Sequence, residues 1–305
     1  MSASPLCGGN VGALGAANAY NLFVFGNLSL TGADTGGRVA VGGNASFPAW
    51  YSIGQNILDS FTAPDNLDVD LSITAGPAGV YNGNAYEGVA GASYANTYNG
   101  TATVGGASPL SVANQYNSLL ALSNQITQLT ANSSVVLNGS TVTLTGTDPT
   151  LEVFNLPIAD LGGNNAIYLN VKPTATVLIN VIGSGSITTS NSGFFYNGSQ
   201  IIGNSATGYD RILFNFNQAT GINFGGTFEG TVLAPKANVT GTTSGQLDGG
   251  LIAQSFTGNT EFHDLLFTGT IPTPTPELQT WAMYAIGGGL VLFARTRRLQ
   301  SVRSK

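Results

Sequence analysis

The sequence predicts a mainly β protein whose body is a β-solenoid, or β-helix-like, coil with one flanking amphipathic α-helix, followed by a C-terminal hydrophobic helix. Three observations carry this. Short β-branched or aromatic runs recur between Gly and Asn turn formers. Some of these runs echo each other at the length of one coil. A single stretch switches to helical periodicity.

The runs are YNLFVFGNLSLTG, GGRVAVGGNASF, STVTLTG, AIYLNVKPTATVLINVIGSGSI, RILFNFNQATGINFGGTFEGTVLAP and GLIAQSF. Strand counting alone admits a sandwich, a barrel or a solenoid. The echoes favour the solenoid: GNLSL at Gly26 returns as GNASF at Gly43, and GTVLA at Gly230 returns as GGLIA at Gly249. In such a coil each rung buries its apolar face on the next. Gly at the corners supplies positive φ, and Asn there can stack or bond the turn backbone.

The helical stretch is SPLSVANQYNSLLALSNQITQL, placing a helix at about 108–131. Val112, Tyr116, Leu119, Leu120, Ile126 and Leu129 form its stripe, Ser108 is the expected N-cap, and Pro109 sits in the first turn.

The chain has 305 residues, of which 42% are hydrophobic and only 8% charged, so it can build a core. The formal net charge of −6 is unevenly spread. Five of the nine basic residues follow position 294, and the chain before Glu277 carries four basic and fourteen acidic residues, a net −10. An acidic body is repelled by phosphate backbones, which excludes nucleic acid as a partner. Cys7 is the only cysteine, so neither an intrachain disulfide nor a cysteine zinc site can form.

The tail, PTPTPELQTWAMYAIGGGLVLFARTRRLQSVRSK, differs from everything before it. A Pro/Thr spacer at 271–276 favours an extended backbone. The uncharged stretch from Leu278 to Ala294 lies at the short end of the roughly 17 to 25 residues of a membrane span. Trp281 suits an interface, and Arg295, Arg297 and Arg298 would stop transfer on the cytoplasmic side.

Two resemblances follow. AYNLFVFGNLSLTGADTGGRVAVGGNASF, with Gly37, Arg38, Val39, Gly42 and Gly43, resembles the opening of the choice-of-anchor A family of exported bacterial surface proteins. FEGTVLAPKANVTGTTSGQLDGGLIAQSFTGNTEFHDLLFTG resembles that family's closing segment, through Leu233, Ala234, Pro235, Gly249, Glu261 and His263. The tail is similar to a PEP-CTERM sorting signal. Pro276, Glu277 and Leu278 stand at the motif, with Leu replacing its last Pro, and Trp281, the Gly287, Gly288, Gly289 run and the arginines follow in order. The tail resemblance implies an exosortase and the export machinery as partners and a transient stay in the inner membrane before release to the cell surface or medium. The expected organisation is a leader remnant or disordered segment at 1–17, a choice-of-anchor A domain at 18–270, the spacer, and the sorting and anchor segment at 277–305. MSASPLCGGNVGALGAANAY carries no leader pattern, so the start is expected to be truncated.

Candidate chemistry is sparse. His263, the only histidine, would share a strand face with Glu261 and not with Asp264, and a structural contact is preferred to catalysis. Asp65, Asp68 and Asp70 alternate as calcium ligands could, but the glycine spacing and terminal glutamate of a helix-loop-helix site are missing; a solvated loop is preferred and no cofactor is expected. The sequence therefore points to a noncatalytic surface or biofilm-matrix protein, adhesin-like, with extracellular polysaccharide as a possible ligand. A polysaccharide-acting enzyme on a β-helix is the alternative. Ice binding ranks third, because there is no regular Thr-x-Thr ladder beyond short pieces such as Thr141 to Thr145.

Overall fold

In a computed structural model the described residues are 12–57, 63–163, 165–189, 193–201, 208–241 and 245–272. The fold is mainly β, and its ladders are almost all parallel. Successive strands turn about one axis, and the circuits lay strands on two or three faces. Leu22–Val24 and Leu28–Leu30 begin the first circuit, Val39–Val41, Ala45–Ser46 and Tyr51–Ile53 form the second, and Leu67–Val69, Ile73–Ala75 and Ala78–Tyr81 the third. The sequence echoes are successive rungs: Leu28 pairs with Ala45, 17 positions on, and Val232 with Leu251, 19 positions on.

Stacking order departs from chain order. Leu22–Val24 is flanked by Val39–Val41 on one side and by Leu251–Ala253 on the other, both parallel. The chain thus starts mid-stack and winds to one end at Ala102–Val104. It restarts at the far end with Leu151–Pro157 and winds back until its last coil meets its first. Leu22, Val24, Val39, Val41, Leu67, Val69, Val232, Ala234, Leu251 and Ala253 point inward and form one continuous buried column.

The crossing between the two ends is made by the helix Val112–Ile126, shorter than the expected 108–131. Ser108 does not cap it. Its Oγ accepts the Ser111 N–H at 2.8 Å in a turn that precedes the helix, while Asp70 Oδ2 accepts the Ala113 N–H at 3.4 Å. An acceptor borrowed from a neighbouring rung thus satisfies the helix start, a choice invisible to local sequence. The buried stripe is Val112, Leu119, Leu122 and Ile126, which sit on the outward side chains Phe23, Ala40, Leu178, Leu213, Leu233 and Ile252. Leu122 takes the place expected for Leu120, and Tyr116 and Leu129 pack at the margin.

A buried amide network fixes the helix to the sheet. Ser123 Oγ donates to Asn215 Oδ1 at 2.6 Å, and Asn215 Nδ2 donates to the Ser123 carbonyl and to Asn180 Oδ1, both at 2.9 Å. Asn180 Nδ2 in turn donates to the Ile126 carbonyl at 3.0 Å.

The packed body begins earlier than residue 18. Gly15–Ala19 forms a 3₁₀ turn, and Leu14 and Ala17 are buried in the helix-side cluster, since apolar side chains there complete the cover over Phe23. Residues 1–11 lie outside the described residues, as does everything after Pro272, including the sorting motif, the glycine run and the arginines. Among the described residues no helix is long and apolar enough to cross a membrane.

Replacing Asn215 by Leu should leave the Ser123 hydroxyl proton without its acceptor and Asn180 Oδ1 without its donor, while the Ser123 carbonyl keeps the Thr127 N–H and Ser123 Oγ keeps Asn217 Nδ2. A loss of about 3 kcal/mol is expected from unmet buried polar groups, read as a lower urea midpoint at unchanged m-value.

Candidate functional site

One face of the coil is left bare by the helix. On it the in-register strands put inward and outward residues into separate rows, because side chains alternate along a strand. Inward run Ile187, Ile222, Val239, Phe256, Leu28 and Ala45, all buried. Outward, two residues of each rung face solvent. One row reads Thr188, Asn223, Thr240, Thr257, Ser29 and Ser46 across six rungs. A parallel row reads Ser186, Gly221, Asn238 and Ser255.

Neighbouring rungs lie about 4.8 Å apart, so the face is a lattice of hydroxyl and amide groups without an ionisable side chain. The lattice is partly ordered by its own bonds: Thr240 Oγ1 donates to Asn223 Oδ1 at 3.0 Å and Ser255 Oγ to Asn238 Oδ1 at 2.7 Å. At the corner of the face Asn27 Oδ1 accepts the Asn44 N–H at 2.9 Å and Asn44 Oδ1 accepts the Ser72 N–H at 3.2 Å, the backbone-bonding role expected for Asn.

Sequence reasoning missed this ladder because it looked for Thr-x-Thr within a strand. Thr188, Thr240 and Thr257 come from three separate coils, and only knowledge of the register aligns them. Thr141–Thr145, a run with the sought pattern, belongs to another sheet, where Val142 and Leu144 point inward.

The glycines of the choice-of-anchor-like motifs are structural, but for a different reason than expected. Gly37, Gly42, Gly43 and Gly249 do not have positive φ. A Cβ on Gly43 would lie 2.4 Å from Asn27 Oδ1, and one on Gly249 2.3 Å from the Gly230 carbonyl. They are needed because the next rung passes too close for any side chain. Gly230, with φ of 100°, is a corner of the expected kind. Arg38 is buried, donating from Nε to Asn66 Oδ1 at 3.2 Å and from a terminal nitrogen to the Ala19 carbonyl at 3.3 Å. Val39, Leu233 and Ala234 are core, and a register shift separates Ala234 from Asn238 around Pro235.

His263 shares its face with Glu261, as alternation requires, with Nε2 3.1 Å from Glu261 Oε1. Its Nδ1 meets Asp248 Oδ1, the residue paired with it on the adjoining rung, and Asp248 pairs on with Glu229. Asp248 stands out in the sequence only within the Gln246–Gly249 run of the family-like closing segment and Glu229 not at all, and neither is legible as a neighbour of His263, because the pairing spans 15 and 19 residues. Both are buried, so they offer no open carboxylate pair to a polymer. Burial first, and then the Asp248 charge, push Glu229 up to about 9, so it holds its proton at neutral pH. The hydrogen bond to Asp248 raises His263 to about 9 against the effect of burial.

Asp68 and Asp70 lie under the start of the helix rather than in a solvated loop. Ser108 Oγ donates to Asp68 Oδ1 at 3.5 Å, and burial followed by the Asp70 and Asp65 charges pushes Asp68 up to about 7. Among the described residues no group of three His, Cys, Asp or Glu is arranged to hold a metal ion.

A family model described as an ice-binding-like adhesive domain matches residues 13–264. No curated protein matches the chain in sequence. Among solved structures, an ice-binding protein from an Antarctic biological consortium is 17% identical with a TM-score of 0.40, over 86% of this chain and 94% of that one. A glycosylated ice-binding protein from an Arctic yeast is 14% identical with a TM-score of 0.36, over 89% and 99%. An ice-binding protein domain of Shewanella frigidimarina is 12% identical with a TM-score of 0.31, over 82% and 94%.

The titratable cluster gives a pH dependence. Glu229 and His263 both bind protons more tightly when folded, so their contribution is complete below their unfolded pKa values, 4.5 and 6.5, and is lost as pH rises through about 9. Thermal midpoints should fall between pH 5 and pH 9.5, and Glu229→Gln should flatten the fall. A midpoint that rises across this range contradicts the assignment.

Proposed function

Because the chain belongs to the ice-binding-like adhesive domain family, we propose that it is a noncatalytic adhesive module, exported to the bacterial surface or extracellular matrix, that binds through its bare hydroxyl and amide face. The row from Thr188 through Asn223, Thr240 and Thr257 to Ser29 and Ser46 carries the reading. A flat face of fixed donors and acceptors at a regular repeat suits a ligand that is itself extended and repeating, since each rung adds a small contact and the face itself is already ordered. The acidic body repels anionic polymers, so a neutral, hydroxyl-rich polysaccharide is the ligand class.

Ice is the second reading, favoured by the threonines of the same row, whose methyl and hydroxyl groups repeat at the rung spacing. Delivery is the task of the tail. The choice-of-anchor A resemblance and the motif at Pro276, Glu277 and Leu278 support sorting by an exosortase, with a transient inner-membrane stay.

Two experiments test this. Wild-type protein should be retained on insoluble neutral polysaccharide without releasing reducing ends, and Thr240→Tyr with Thr257→Tyr should weaken retention at least about tenfold at an unchanged thermal midpoint. Retention unaffected by the pair sinks the polysaccharide reading at this face, and ice-recrystallisation activity lost in the same variant selects ice instead. For the tail, Pro276→Ala with Glu277→Ala should hold the protein in the inner membrane; mass spectrometry finding external molecules that still end at Lys305 would contradict processing.

A further inference from the structure

The two ends of the coil are finished differently. At one end the outer edge of Leu151–Pro157 is closed. Asn132 accepts the Val153 N–H through Oδ1 at 2.8 Å, donates its own N–H to the Val153 carbonyl at 3.2 Å, and donates Nδ2 to the Leu151 carbonyl at 2.9 Å. Pro157 ends the same edge without a donor, and the antiparallel hairpin Ser134–Asn138 with Thr141–Thr145 reverses the chain beside it.

The other end has no such finish. Ala95–Tyr98 pairs with Ala78–Tyr81 on its inner side only, and Ala102–Val104 with Ala85–Glu87 on its inner side only. The Tyr94 and Tyr98 carbonyls accept the Ala78 and Asn82 N–H groups, so by alternation the N–H and C=O of Ala95 and Thr97 point away from the coil. They have no partner among the described residues. Tyr94 and Val104 are each 55% exposed beside this edge. No Asp, Glu, Lys, Arg or His occurs from Gly88 to Ser111. Among the described residues, the usual protection of an exposed edge by charge, Pro or a covering segment is therefore missing.

We propose that two copies of the chain join end to end here, Ala95–Tyr98 pairing antiparallel with its own counterpart across a two-fold axis. The edge is self-complementary: Ala95 of each copy exchanges N–H···O=C bonds with Thr97 of the other, and Asn96 lies on the axis. Charge selects a second copy approaching by this end. The body is acidic, and two copies meet with least repulsion where both are uncharged.

Sedimentation equilibrium of the full chain in mild detergent should show a dimer. Thr97→Pro removes an outward main-chain donor, together with the Thr97 Oγ bond to the Gly100 carbonyl at 3.0 Å, and should raise the dimer dissociation constant by at least about tenfold. Asn96→Lys, which keeps every main-chain group, leaves the inward row of Ala95 and Thr97 over Ala78 and Val80 untouched and places two like charges at the axis, should do the same at an unchanged thermal midpoint, and it keeps the test decisive if the proline variant does not fold. A monomeric wild type, or a dimer indifferent to the lysine, overturns the proposal.

Discussion

The parallel pairing of Leu22–Val24 with Leu251–Ala253 is the contact on which the rest depends. It joins the start of the chain to its end across more than two hundred residues and makes one column of the two half-stacks. The rows that cross the middle of the body pass through this seam, through its companion, the pairing of Leu28–Leu30 with Phe256–Gly258, or through the Thr35–Phe262 bridge on the third face. A shift of one residue there would turn Leu28 outward and Ser29 inward, breaking the core and the polar face together. The requirement for close passage at Gly43 and Gly249 then follows, since both lie beside these rungs.

The seam also explains how much could be read in advance. Strands, turns and the solenoid were legible because each is local: alternation over a few residues and an echo at 17 or 19 positions. The paired family-like segments bracketing the chain lie side by side in space, which separation along the sequence conceals. The ladder from Thr188 to Ser46 was illegible for the same reason, as each rung supplies a single unremarkable Ser, Thr or Asn. The helix was found, but its start was misplaced because its acceptor comes from Asp70 on another rung.

The buried acids obey the same rule of lateral neighbours. Glu229, Asp248 and His263 stand on three adjoining rungs, and parallel register forces them into contact. Like charges cannot accumulate in such a row without a remedy. Here Glu229 retains a proton and His263 gains one, so a row of potential repulsion becomes a hydrogen-bonded line. The lone histidine has both ring nitrogens engaged by carboxylates.

The same lateral logic separates the three faces by use. Where outward residues are apolar, as at Phe23, Ala40, Leu178, Leu213, Leu233 and Ile252, a helix is needed to cover them, and buried amides hold it in one place. Where outward residues are Ser, Thr and Asn, no cover is needed, because their polar groups are satisfied by water or by each other. Such a face is stable while bare, so it is free to meet an external surface without first being uncovered. Its rigidity comes from the core row beneath, Ile222, Val239 and Phe256, rather than from the outward side chains themselves. Variation among Ser, Thr and Asn on the outside can therefore change the chemistry of the face while leaving the coil intact, a separation of surface from scaffold.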